Sequence, residues 1–153
     1  MTLLKKPTGL LFTSNVNGLR NLKIESEIWQ ITRAGTLIPN STLVRGLAPS
    51  SELFEKFLRE WKDLPNKTWW QEYESRFLEE LKSEEKLDCL REIYRRLKNG
   101  TNIVLVCFCK DYNYCHRKLV AEFFRQYDII AEELDPRLER EIETVSHEQL
   151  AIF

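Results

Sequence analysis

At 153 residues, the chain has the length of one domain, with a core large enough to need no covalent staples. Apolar residues make up 42% and charged residues 31%, the ordinary balance expected of a soluble globular protein. A net charge of −1 excludes broad, non-specific phosphate binding but leaves room for a local basic pocket.

The opening "MTLLKKPTGLLFTS" lacks the ordered basic, apolar and small-residue regions of a signal peptide, and no apolar run approaches a membrane span. The cysteines are clustered rather than spread as a disulfide framework, so they read as reduced thiols of a cytoplasmic protein.

"GLLFTS" (9–14) predicts a first strand, followed by a loop with a turn at Asn17-Gly18. "EIWQITRA" (27–34) sets Ile28, Gln30 and Thr32 against Trp29, Ile31 and Arg33, the alternation of a second strand. "GTLIPNSTLVRGLAP" (35–49) reads as irregular. Ser50 or Ser51 then caps a helix whose buried face is Leu53, Phe54, Phe57, Leu58 and Trp61, and "DLPNK" breaks it. Thr68 and Gln71 form a capping-box pattern ahead of Trp69, Trp70, Tyr73, Phe77, Leu78 and Leu81. A third helix starts near Ser83, buries Leu87, Leu90, Ile93, Tyr94 and Leu97, and stops at Asn99-Gly100.

"TNIVLVCF" (101–108) is the near-continuous apolar run of a central parallel strand covered on both faces. The helix after it buries Leu119, Val120, Phe123, Phe124 and Tyr127. "DIIAEEL" (128–134) offers a further strand, and 135–153 reads as a polar, partly helical tail. This order of elements predicts one α/β domain over 1–153, with a core of about 8–134 and a mostly parallel central sheet flanked by helices.

The chemistry concentrates in "CFCKDYNYCHR" (107–117), which holds three of the four cysteines and one of the two histidines. Cys107 and Cys109 share one face of a strand, with α-carbons roughly 6.5–7 Å apart, too far for an easy mutual disulfide. With Asn113 as cap, Cys115 and His116 fall in the first turn of the next helix. Its unpaired N–H groups and dipole favour an anion and lower a thiol's pKa. Lys110 and Arg117 add charge-assisted donors for phosphate or carboxylate. Cys107 also fits plain core packing, and His116 fits a satisfied polar residue at the strand end.

Cys107, Cys109, Cys115 and His116 have the ligand count of a tetrahedral zinc site. Their spacing matches no common zinc finger, and adjacent helical residues project in different directions. The expectation is therefore a fold stable without metal and no cofactor. Seven residues separate Cys109 from Arg117, so the Cys-x5-Arg loop of thiol phosphatases is absent. The tryptophans follow helical spacing and read as core, and "RRLK" (95–98) reads as a solvated helix end.

The run of apolar strand, Cys107, seven residues, Cys115-His116-Arg117 and helix resembles the bacterial domain-of-unknown-function family 488. "LFTSNVNGLRNL", "WQITRAG", "LAPSSELFEKF" and "WWQEYESRFLEEL" resemble its other segments in the same order, over about residues 10 to 127. The resemblance implies a compact α/β domain and no established reaction. It places Thr13, Ser14, Arg33, Gly35, Cys107, Lys110, Cys115, His116 and Arg117 at recurrent positions. Many relatives carry Glu two places after the strand cysteine, where this chain has Cys109.

Taken together, the expected function is binding of a small anionic molecule, a nucleotide or sugar phosphate, at the strand ends and the helix N-terminus. Thr13, Ser14, Asn15, Arg33, Lys110, Asn113 and Arg117 are the candidate binding residues; Thr13, Ser14 and Asn15 fit an ordinary strand-to-loop turn equally well. Thiol catalysis with Cys115 as nucleophile and His116 as base is the sharper version, with fast alkylation of Cys115 as its sign. The competing class is a non-catalytic interaction module for protein or nucleic acid, in which Cys-His-Arg is structural. A membrane partner is not expected.

Overall fold

A computed structural model describes residues 8–135, so the expected C-terminal tail lies outside the described residues. Strands β1 (Leu11–Ser14), β2 (Glu27–Gln30), β3 (Ser41–Leu43), β4 (Ile103–Val106) and β5 (Glu132–Glu133) form one parallel sheet in the order β3-β2-β4-β1-β5. Ile103 to Val106 on β4 pair with Leu11 to Ser14 on one side and with Glu27 to Gln30 on the other. All four residues of β4 are fully buried, as its unbroken apolar sequence requires.

Helices α1 (Ser51–Lys56), α2 (Trp70–Glu80), α3 (Glu84–Lys98) and α4 (His116–Phe123) send their buried side chains into one core. That core meets the sheet face bearing Leu11, Trp29, Ile103 and Leu105. The opposite face carries Phe12, Val104 and Val106, covered by Ile38 and Leu134, with Leu19 and Leu22 packed alongside. The molecule is thus an α/β domain with a parallel sheet flanked by helices. No helix among the described residues is long and apolar enough to cross a membrane.

Local signals explain most element ends. Ser50 Oγ accepts the Leu53 N–H at 3.1 Å, so the cap expected at Ser50 or Ser51 forms at Ser50, and Ser83 Oγ likewise accepts from Lys86 N–H at the start of α3. Gly100 ends α3 in the left-handed region (φ 91°), with Thr101 N–H returning to Arg96 O.

Several expectations need correction. The 35–49 segment contains β3, a three-residue edge strand set between Asn40 at φ 62° and a short 3-10 turn, too brief for a legible alternation. β2 ends at Gln30 rather than running to residue 34. The Thr68/Gln71 box does not form: α2 begins at Trp70 without a side-chain cap, and the Thr68 hydroxyl donates to Asn66 Oδ1 instead. After Lys56 the helix widens into a π turn, Phe57–Trp61, closed by Lys62 N–H to Phe57 O at 2.8 Å. Within that turn Trp61 is buried, as its spacing predicts, but Leu58 is exposed. Leu78 is likewise exposed on α2, and Tyr127 lies in an exposed 3-10 turn beyond α4.

Candidate functional site

The loops that leave neighbouring strands β2 and β4 meet at the C-terminal edge of the sheet, where open α/β folds hold ligands. Between them and the helix layer lies a cavity of about 320 Å³, within the range of small-molecule sites. Thr32 and Arg33 bound it on the β2 side, and Cys107, Phe108, Cys109 and His116 on the β4 side. The π turn and the residue that caps it contribute Phe57 and Lys62, and α2 with its N-cap brings Tyr73 and Trp69. The widened turn therefore does positional work, presenting an aromatic ring and a cation to the same space.

Aromatic packing makes the helical wall rigid. Trp61 stacks on Trp69 (5.9 Å, 12°), Trp69 meets Tyr73 edge-on, and Tyr73 stacks on Phe77, which contacts the His116 ring at 5.5 Å. Trp61 and Trp69 are core residues, as their spacing suggests. Trp69 Nε1 is nonetheless buried without a hydrogen-bond partner among the described residues, and its ring lines the cavity. The rim is cationic. Arg33 is fixed by its Nε donating to Pro49 O at 3.0 Å, Lys62 lines the opening, and Lys67 Nζ sits over both Trp69 and Tyr114. Among the described residues, none that lines the cavity is acidic.

Under the cavity lies the thiol cluster. Asp111 caps a 3-10 turn (Tyr112–Tyr114) by accepting from Asn113 N–H at 3.0 Å, and α4 starts only at His116. Cys115 is therefore the N-cap, with extended backbone (φ −134°, ψ 143°), and Asn113 is not. That backbone is why adjacent Cys115 and His116 aim at one point, contrary to the helical projection expected from sequence. The ligand atoms of Cys107, Cys109, Cys115 and His116 all lie within 4.8 Å of one another. Cys107 Sγ is 2.7 Å from Cys115 Sγ, and His116 Nε2 is 2.5 Å from Ile31 O.

Electrostatics place the negative charge on Cys107. Burial opposes it, but hydrogen bonds from Cys109 and Cys115, together with the neighbouring Arg117 charge, pull this thiol well below its usual range. Burial and the hydrogen bond to Cys107 push Cys115 well up, reversing the expected low pKa. Cys109 is also raised, chiefly by its hydrogen bond with Cys107. Burial lowers the His116 pKa, so the ring stays neutral.

Arg117 is the largest fully buried side chain among the described residues. Its Nε and Nη2 donate to the two Glu133 oxygens at 3.1 and 2.7 Å, and its Nη1 donates to Cys107 Sγ at 3.2 Å and Cys109 O at 2.8 Å. Its donors are thus directed at the protein, not at a ligand. Thr13 Oγ1 donates to Glu133 Oε1, Ser14 Oγ donates to Asn15 O, and Asn15 Nδ2 donates to Asp135 Oδ2. All three are buried and belong to the internal network around β1 and β5. Lys110 is exposed and Asn113 half-buried, and neither lines the cavity. Of the expected binding residues, Arg33 alone lines it; His116 joins it from the catalytic pair, and Cys115 does not.

Sequence reasoning missed Glu133, Lys62, Trp69, Tyr73 and the Ile31 carbonyl. One signal was available: Arg117, Val120, Ala121 and Phe124 follow i, i+3, i+4, i+7, which puts Arg117 on the buried face and demands a carboxylate partner.

No curated protein and no solved structure matches the chain. Residues 11–128 match the family DUF488-N3a, described as the active DUF488-N3 subclade, a span that covers β1 through α4 and includes every residue of the cavity and the cluster. The chain belongs to this branch of the DUF488 family.

Proposed function

We propose that the cavity at the ends of β2 and β4 binds a small anionic molecule with an aromatic ring, a mononucleotide being the nearest chemical class. The observation that carries this reading is the orphaned Trp69 indole N–H in a cavity with aromatic walls, a cationic rim and, among the described residues, no acidic lining residue. A buried donor without a partner costs about 1–3 kcal/mol, and an acceptor on a bound ligand would recover that cost. The aromatic walls suit a planar ring, while Arg33 and Lys62 suit a phosphate. A sugar phosphate would leave most of these apolar walls unmatched.

The buried and protonated Cys115 does not support a nucleophile there, so the proposal is binding without an assigned reaction. Exposed large apolar residues such as Leu10, Leu37, Leu58, Leu78 and Ile130 come from separate segments, which gives the interaction-module reading little to stand on. The four reduced cysteines suit a reducing cytoplasm.

A thermal-shift comparison of nucleoside monophosphates, the free nucleosides and ribose 5-phosphate tests this. A mononucleotide should raise the melting temperature more than either of its halves, because a ligand specific for the native state stabilises it by mass action. No shift with any of them at millimolar concentration would sink the reading.

A further inference from the structure

We propose that Cys107, Cys109, Cys115 and His116 form a closed tetrahedral metal site, with Zn²⁺ the ion they fit best, beneath the cavity. The inference goes beyond the ligand reading and stands on different atoms. Four N/S donors from a chain stretch of ten residues converge to within 4.8 Å of one another. A tetrahedral zinc site with bonds of 2.3 Å to sulfur and 2.0–2.1 Å to nitrogen sets donors about 3.5–3.8 Å apart. Reaching that geometry requires the close Cys107–Cys115 pair (2.7 Å) to open by about 1 Å and the widest pair to close by a similar amount. Side-chain rotation accommodates changes of this size.

The histidine is a second, independent observation. Its Nε2 lies 2.5 Å from Ile31 O, and a backbone carbonyl only accepts, so Nε2 carries the proton. The lone pair is therefore on Nδ1, which faces Cys115 Sγ at 3.9 Å. A ligating imidazole held through its other nitrogen by a backbone carbonyl is the usual outer-shell arrangement of zinc sites. Arg117 Nη1 donates to Cys107 Sγ, as an electron-rich metal thiolate requires. On binding, the cysteines that are still protonated give up their thiol protons to solvent, and no redox change occurs. Three thiolates and one neutral imidazole around Zn²⁺ carry a net charge of −1. Sulfur donors select zinc over magnesium or calcium, whose ligands are oxygen.

Four protein ligands leave no open position, so the ion's role is structural. It ties the 107–116 loop to the end of β2 through Ile31 and holds three residues of the cavity floor, Cys107, Cys109 and His116. The third sulfur, Cys109, completes the ligand set in this chain.

The test is a titration of the metal-free, phosphine-reduced full chain with Co²⁺ alone, followed by competition with Zn²⁺. Expected are one equivalent per chain, the intense visible bands of tetrahedral sulfur-rich Co²⁺, and their loss on adding Zn²⁺. Cys109→Ser, at a partly exposed position that leaves the core intact, should weaken and shift the bands, and Cys89→Ser should leave them unchanged. No uptake, a pale octahedral spectrum, or bands indifferent to Cys109→Ser would overturn the proposal, as would a Cys107–Cys115 disulfide that persists under reduction. No nucleotide is present in this titration, so its failure leaves the ligand reading intact, and the reverse holds.

Discussion

The decisive side chain is Arg117, whose guanidinium is wholly buried against a carboxylate that is 3% exposed. Removing one partner of such a pair leaves an uncompensated buried charge, which costs roughly 3–5 kcal/mol. Glu133→Gln should therefore lower unfolding free energy by about that amount in urea denaturation, and a change near zero would mean the pair is solvated. Cysteine reactivity is set at this scale too. Cys107 and Cys115 are 1% exposed, while Cys89 and Cys109 are partly exposed. Mass spectrometry of the alkylated native protein should find Cys89 labelled first, with Cys115 inert until unfolding. Early labelling of Cys115 would restore it as a candidate nucleophile. Sequence placed these residues together but not their roles. Arg117 was read as a ligand donor although helical periodicity puts it on the buried face, and the N-cap backbone of Cys115 depends on Asp111 capping the preceding turn, a choice the local sequence leaves open between Asp111 and Asn113.

Among the elements, those with long periodic or continuous apolar runs were legible: β1, β4, α3, α4 and most of α1 and α2. β3 and the π turn were not, since one is three residues long and the other alters period inside a run that reads as plain helix. Both matter to the site, through the β2 edge and through Phe57 and Lys62. The turn leaving β2 offers a direct probe. Gly35 sits at φ 106°, and a side chain there would collide with the Phe108 ring that lines the cavity. Gly35→Ala should thus cost about 1–3 kcal/mol from backbone strain and overlap together. Urea denaturation measures the loss, and unchanged stability would show that Phe108 moves aside freely.

For the whole molecule, the sheet edge was legible as the place to look, because the Cys-His-Arg run follows the central strand. The cavity itself was not. Its walls come from 32–34, 49–73 and 107–116, and only long-range packing of helix on sheet brings these segments together. The account's central claim is that this cavity, and not the saturated Arg117 network beneath it, takes the ligand. Calorimetric titration of wild type, Arg33→Ala and Arg125→Ala with the mononucleotide that gives the largest thermal shift tests it most directly. Arg33 lines the cavity and Arg125 lies on an exposed turn away from it. The account predicts binding about tenfold weaker or more in Arg33→Ala, equivalent to about 1.4 kcal/mol, and no change in Arg125→Ala. Equal affinity in all three proteins would contradict it.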